Sequence, residues 1–113
     1  MISEQRKSPR VDFTEGVLAH PVTPSKSGNI FEVNAQAHSF QAVDISREGI
    51  RLNAGRPLPP HSIMKLNFEV LKRKPLDVFA RVVWSLGDQA GLKFIVLDEN
   101  AQRHIHSYTN YPG

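Results

Sequence analysis

Residues 64–84 decide the fold: Met-Lys-Leu-Asn-Phe-Glu-Val-Leu-Lys-Arg-Lys-Pro-Leu-Asp-Val-Phe-Ala-Arg-Val-Val-Trp. Apolar and polar side chains alternate from 64 to 70, and this period of two is typical of a strand with one buried face. The basic turn Lys72-Arg73-Lys74-Pro75 follows, and the next stretch carries on one face Leu76, Val78, Ala80, Val82 and Trp84. The pattern predicts two consecutive strands that each turn one face to a shared apolar core.

The flanking sequence predicts further short strands and one final helix. Strand patterns cover residues 13–22, 39–45 and 50–53, with a short strand around 30–33 and loops at 23–29 and 53–60. After a hairpin loop at 87–91, the residues from Leu92 to Val96 alternate again. Asp98 can cap a helix whose apolar stripe is formed by Ala101, Ile105 and Tyr108. Several short strands followed by one helix predict an antiparallel barrel with the helix packed on one opening.

Composition and length narrow the class of protein. The chain has 113 residues, which suits one domain, and it has no cysteine, which excludes a disulfide scaffold and thiolate metal sites. Its net charge of +3 is too mild for a general nucleic-acid binder. The first residues lack a signal-peptide pattern, and no stretch approaches the roughly 20 apolar residues of a membrane helix. We therefore expect a cytoplasmic protein without direct membrane insertion, with a flexible arm at 1–12 and a barrel domain at 13–110.

Two short motifs carry the candidate chemistry. Arg6-Lys7-Ser8-Pro9-Arg10 places two guanidiniums four residues apart, and Asp44-Ile45-Ser46-Arg47-Glu48-Gly49 places a carboxylate, a hydroxyl and a bare backbone at an expected turn. Guanidinium groups suit phosphate oxygens and the O6/N7 edge of guanine, while a carboxylate and a hydroxyl suit the donors on the opposite edge. Taken singly, the first motif is most often a solvated basic tail and the second an ordinary turn. Together they describe a receptor for a guanine nucleotide with phosphates.

The order of these motifs, RxxxR followed by DxSxxG, resembles the PilZ family. Ala80-Arg81-Val82-Val83-Trp84 followed by Gly91-Leu92-Lys93-Phe94 is similar to the late hairpin of that family, so the resemblance runs from about Arg6 to Tyr108. It implies an all-β fold with a C-terminal helix, in which six antiparallel strands form a barrel of the split-barrel type. It also implies a bacterial, non-enzymatic receptor domain for the second messenger cyclic di-GMP.

The resemblance implies a role for each motif residue. The two arginines, Arg6 and Arg10, would contact phosphates and the Hoogsteen edges of guanine, and Lys7 would add positive charge. On the barrel, the DxSxxG residues would hold the N1/N2 edge of guanine through Asp44 and Ser46 and would give close backbone access at Gly49. Ligand binding would fold the mobile arm over the barrel and signal to a protein partner. In the family, such partners belong to motility, exopolysaccharide or virulence machinery.

Two readings of Trp84 stay open. The alternation places its indole in the core with Ala80 and Val82, and this is the favoured interpretation. The other interpretation puts the indole at the barrel rim, where it could stack on a guanine with a free energy of about 1–3 kcal/mol per base.

Other functions are weighed against the receptor. A PilZ-type adaptor that binds proteins but no nucleotide is the first alternative, and a barrel for single-stranded nucleic acid is the second. The five histidines lack the spacing of a zinc site, and Ser46 has no histidine and acid partners for nucleophilic attack. We therefore expect no metal, no cofactor and no catalysis.

Overall fold

The chain folds as strands followed by one helix, in the order that the sequence predicts. A computed structural model describes residues 9–24 and 31–110. Within these ranges the elements are β1 (Val11–Asp12), β2 (Gly16–Pro24), β3 (Phe31–Val33), β4 (His38–Ile45), β5 (Gly49–Asn53), β6 (Ile63–Phe68), β7 (Leu76–Leu86), β8 (Gln89–Val96) and α1 (Glu99–Thr109).

Six of these strands close into a ring. They follow the order β4-β5-β8-β7-β6-β2, every neighbouring pair is antiparallel, and β2 pairs back onto β4. The short strands β1 and β3 extend the edges of β4 and β2. The predicted six-stranded antiparallel barrel with a C-terminal helix is confirmed, and the two extra strands are additions to it.

The N-terminal boundaries differ from the expected ones. The first long strand does not start at residue 13 but at Gly16, and it continues through Pro21 to Pro24. Val11 and Asp12, which the sequence assigns to the arm, form β1 and pair with Ile45 and Asp44. Of the rest of the predicted arm, residues 9–10 are described and residues 1–8 lie outside the described residues.

Alternating strand residues fill the barrel interior. The largest fully buried side chains come from β2, β4, β5, β6, β7 and α1, together with Ser46 and Val70 between strands. Phe13, between β1 and β2, packs edge-on against Phe68 with ring centroids 5.7 Å apart. Because each strand turns every second residue inward, the intervening residues form an outer face that is free to carry a site.

A β-bulge changes which residues of β4 face outward. The sequence pattern places Asp44 with Phe40 and Ala42, and Val43 with Ile45 on the other face. The pairing of β4 with β5 shifts between Ala42 and Asp44, so Val43 is an extra residue. As a result Ile45 joins the core at 0% exposure, and the Asp44 carboxylate turns to the outer face.

A second bulge overturns the favoured reading of Trp84. The pairing of β7 with β8 shifts between Val82 and Trp84, which makes Val83 the extra residue. Val82 is fully buried, whereas Trp84 is 42% exposed on the outer face. The core interpretation was wrong because the bulge shifts the inward and outward positions by one residue, and the sequence pattern does not reveal a bulge.

The loop between β7 and β8 is shorter than the expected loop at 87–91. Only Gly87 and Asp88 separate the two strands, and Gly87 has the positive φ of 59° that such a tight turn requires.

The C-terminal helix is fixed at both ends. Asp98 caps α1 by accepting a hydrogen bond from the Ala101 amide at 2.7 Å. Ala101 and Ile105 are each 1% exposed and join the core. Near the other end, the Tyr108 hydroxyl donates to the Asp12 carbonyl oxygen at 2.6 Å, which ties the helix to β1. In the part of the chain that the structure describes, no helix is long and apolar enough to cross a membrane.

Candidate functional site

The bend between β4 and β5 is built by its serine and its glycine. The Ser46 hydroxyl oxygen accepts hydrogen bonds from the amides of Glu48 at 3.2 Å and Gly49 at 3.3 Å, and the Ser46 amide donates to the Gly49 carbonyl at 2.8 Å. A side chain at Gly49 would overlap the Leu92 carbonyl oxygen, because β8 approaches the backbone closely there. Ser46 therefore fixes the bend through its own backbone, as the turn interpretation of the motif predicts. Gly49 does not have the positive φ which that interpretation expects of it, and it allows the close approach of β8 instead.

Asp44 binds two arginines from different elements. Arg10 Nε lies 2.8 Å from Asp44 Oδ1, and Arg51 Nη2 lies 2.5 Å from Asp44 Oδ2. Arg10 Nη1 also lies 3.4 Å from Ser46 Oγ. The Asp44 side chain is only 11% exposed, whereas the two arginine side chains are 34% and 38% exposed. The carboxylate is thus held at the base of the site, with both guanidiniums reaching toward solvent.

Trp84 forms the opposite wall and lies on a glycine. A Cβ placed at Gly91 would come within 2.5 Å of indole Cε2 and 2.8 Å of Cδ1. Gly91 is not a loop residue, as the sequence suggested, but a strand residue that pairs with Trp84 across β7 and β8. The absence of a side chain at 91 lets the indole lie against the sheet.

Four residues of the site form one row across four strands. Trp84 pairs with Gly91, Gly91 with Arg51, and Arg51 with Asp44. At about 4.8 Å per strand, the row spans about 14 Å. The row runs along a groove of about 660 Å³, a size typical of small-ligand sites, whose lining is Arg10, Asp44, Glu48, Gly49, Arg51, Val83, Trp84, Gly91, Leu92 and Lys93.

The groove brings together most of the residues that the sequence singles out. Arg10, Asp44, Gly49 and Trp84 line it, and Ser46 supports it from below at 2% exposure. The other two predicted residues, Arg6 and Lys7, lie outside the described residues. In the described ranges, no group of three or more histidine or acidic side chains is placed to hold a metal ion.

Sequence reasoning missed two cations of the groove, Arg51 and Lys93. A signal for Arg51 was present, because it alternates with the buried Ile50 and Leu52 and so must point outward two residues after the motif glycine. Lys93 alternates in the same way between Leu92 and Phe94. What the sequence lacks is the pairing of β5 with β8, which makes these residues neighbours.

Comparisons with known proteins agree with the observed fold. The PilZ domain family matches residues 4–111. No curated protein matches the sequence significantly. Among solved structures, the chain is similar to the crystal structure of the PilZ domain of CeSA from a cellulose-synthesizing bacterium, with a TM-score of 0.62 and 14% identity over 89% of this chain and 94% of that chain. Because the family match spans nearly the whole sequence and the fold agrees with it, the chain belongs to the PilZ family.

Proposed function

We propose that this chain is a cyclic di-GMP receptor domain that binds the nucleotide in the groove between the N-terminal arm and the outer face of β4, β5, β8 and β7. PilZ domains typically bind this second messenger. The observation that carries the proposal is the contact between Arg10 and Asp44, which are 34 positions apart in sequence yet lie 2.8 Å from each other. Arg10, the second arginine of RxxxR, thus meets the DxSxxG motif at the groove, which supports a small ligand shared by both motifs.

The groups of the groove complement a guanine nucleotide. The Arg10 guanidinium can donate two parallel hydrogen bonds to the O6/N7 edge of guanine or to a phosphate. Asp44 accepts from donors such as guanine N1–H and N2–H, and its two oxygens offer about four lone-pair sites, of which the arginines use two. The exposed indole of Trp84 provides an apolar face on which a base can stack. The roles proposed for Ser46 and Gly49 are to hold Asp44 in position and to leave the backbone accessible.

The arm would act as the moving part. Arg6 and Lys7 precede Arg10 in sequence, and a ligand with two phosphates offers each of these cations a partner. Ordering of the arm over the ligand would create a new surface at the edge of the barrel, which a downstream protein could recognise. In this proposal the domain is a binding module that senses the nucleotide and passes on a change of shape.

One observation favours a second candidate, an adaptor that binds proteins without a nucleotide. Both oxygens of Asp44 have arginine partners within the chain itself. The cluster is therefore electrostatically satisfied as it stands, and it could serve only to attach the start of β1 to the bend. The receptor remains the better supported function, because a purely structural ion pair does not require the exposed Trp84 or the open groove beside it.

A titration of the full chain decides between these functions. Trp84 is the only tryptophan, so its emission reports directly on the groove. Cyclic di-GMP is expected to change that emission saturably. Cyclic di-AMP and GTP are expected to bind at least about tenfold more weakly. Cyclic di-AMP lacks the hydrogen-bonding edges of guanine, and GTP has one base where cyclic di-GMP has two. Equal responses to all three nucleotides, or no response to any, would reject the receptor and leave the adaptor.

A further inference from the structure

Two cations face each other on the outer face of the barrel beside the groove. Arg81 on β7 pairs directly with Lys93 on β8, and both side chains are exposed. Directly opposed side chains in an antiparallel pair have Cβ atoms about 5 Å apart, and like charges in that arrangement destabilise the sheet. An anion between the two side chains would relieve this repulsion.

The described residues supply no counter-ion at contact distance. Within residues 9–24 and 31–110, ion pairs up to 4.0 Å involve the cations Arg10, Arg51, Lys65 and Arg103, and neither member of the opposed pair. Glu48 lines the same groove as Lys93 but forms no ion pair within that distance to any residue that the structure describes. The positive charge of this pair is therefore uncompensated by the chain that the structure describes.

The pair adjoins the groove through Lys93, which lines it together with Gly49 and Arg51. Lys93 pairs on its other side with Gly49, so the row that starts at Arg81 ends at a residue without a side chain. Arg51, two residues further along β5, holds Asp44 with Nη2, while its buried Nε has no acceptor among the described residues. Arg81, Lys93 and Arg51 thus bring cations from three strands to one end of the groove.

We propose that Arg81 and Lys93, at the edge of the groove, form an anion subsite that takes a phosphate of the bound nucleotide. This inference rests on the proposed function and adds a second anchoring point to it. The subsite lies one same-face step along β8 from Gly91, which is about 7 Å. That step is comparable to the length from a nucleotide base to its phosphate. A base stacked on Trp84 would therefore bring its phosphate to the opposed cations.

The test combines affinity and stability of charge-neutral variants. The double variant Arg81→Gln/Lys93→Gln is expected to bind cyclic di-GMP about tenfold more weakly, because charge-assisted hydrogen bonds are lost. Its melting temperature is expected to stay unchanged or to rise slightly, since the repulsion between the two cations is removed. Lys74→Gln, in the exposed turn before β7, is the matched control and is expected to bind within twofold of the unchanged chain.

A second measurement distinguishes failure of the proposed anion subsite from failure of the proposed receptor function. In an NMR titration of the full chain with inorganic phosphate, the amides of Gly49 and Lys93 are expected to shift saturably, with chloride at equal ionic strength as the reference. The double variant is expected to abolish these shifts. If cyclic di-GMP fails to bind but phosphate shifts persist, the receptor fails and the subsite stands. If the double variant binds cyclic di-GMP within twofold of the unchanged chain, or phosphate shifts no amide of this row, the subsite is rejected.

Discussion

Replacing Gly91 by alanine tests how the tryptophan wall of the groove is held. The added methyl group would collide with the Trp84 indole, with Cε2 at 2.5 Å and Cδ1 at 2.8 Å. The colliding group is a side chain at the rim, 42% exposed, and φ at Gly91 is not positive. The sheet can therefore keep its register while the indole moves away from it.

The size of the effect follows from the indole surface that is uncovered. Lifting one face of the ring off the sheet exposes on the order of 50–80 Å² of apolar surface, which at about 25 cal/mol per Å² corresponds to about 1–2 kcal/mol. We expect the free energy of unfolding of Gly91→Ala to fall by about that amount. We also expect weaker binding of cyclic di-GMP, because an indole in another orientation cannot stack on the same base.

Urea unfolding and tryptophan emission measure both parts of this prediction. The variant is expected to emit at longer wavelength and to be quenched more strongly by acrylamide than the unchanged chain. Gly16→Ala is the matched control: a Cβ at Gly16 meets no atom within 4 Å, so neither stability nor emission should change appreciably. Unchanged emission, quenching and stability in Gly91→Ala would refute the placement of Trp84 on Gly91.

Three further substitutions separate structural from functional roles. Gly49→Ala should lower the free energy of unfolding by about 2 kcal/mol or more in urea melts, because its Cβ meets the rigid backbone of β8 at Leu92; a stable variant would contradict that close approach. Asp98→Ala should cost about 1 kcal/mol in the same assay and speed amide exchange at Ala101, because the helix cap is lost; unaltered exchange would contradict the cap. Asp44→Ala should cost only about 1 kcal/mol of stability, since its two arginine partners reach water, but should abolish specific binding of cyclic di-GMP in calorimetry; wild-type affinity would remove Asp44 from the site.

Much of the fold could be predicted because alternation reports burial directly. The inward residues of β6 and most of β7, the cap at Asp98 and the buried helix positions Ala101 and Ile105 are where the sequence pattern places them. These features depend on residues that are close in sequence, so the spacing of apolar residues is enough to predict them. The number of strands in the ring came from the family resemblance instead.

The site was harder to predict because bulges and strand pairing decide it. Val43 and Val83 are the extra residues of two bulges, and they turn Asp44 and Trp84 outward. The alternation of apolar and polar residues does not show which valine is the extra residue of a bulge. The neighbourhood of Arg51 and Gly91 depends on the pairing of β5 with β8, which are separated by two other strands in sequence. Motifs could therefore name part of the site, while its geometry required the fold.

Calorimetric titration of Arg10→Ala with cyclic di-GMP tests most directly whether the arm and the bend share one ligand. Arg10 is the described arm residue that contacts Asp44, and its loss removes at least one charge-assisted hydrogen bond from the proposed complex. We predict that affinity falls at least about tenfold, while Arg103→Ala, an exposed arginine on α1, leaves it unchanged. Equal affinity of Arg10→Ala and the unchanged chain would contradict the proposed site.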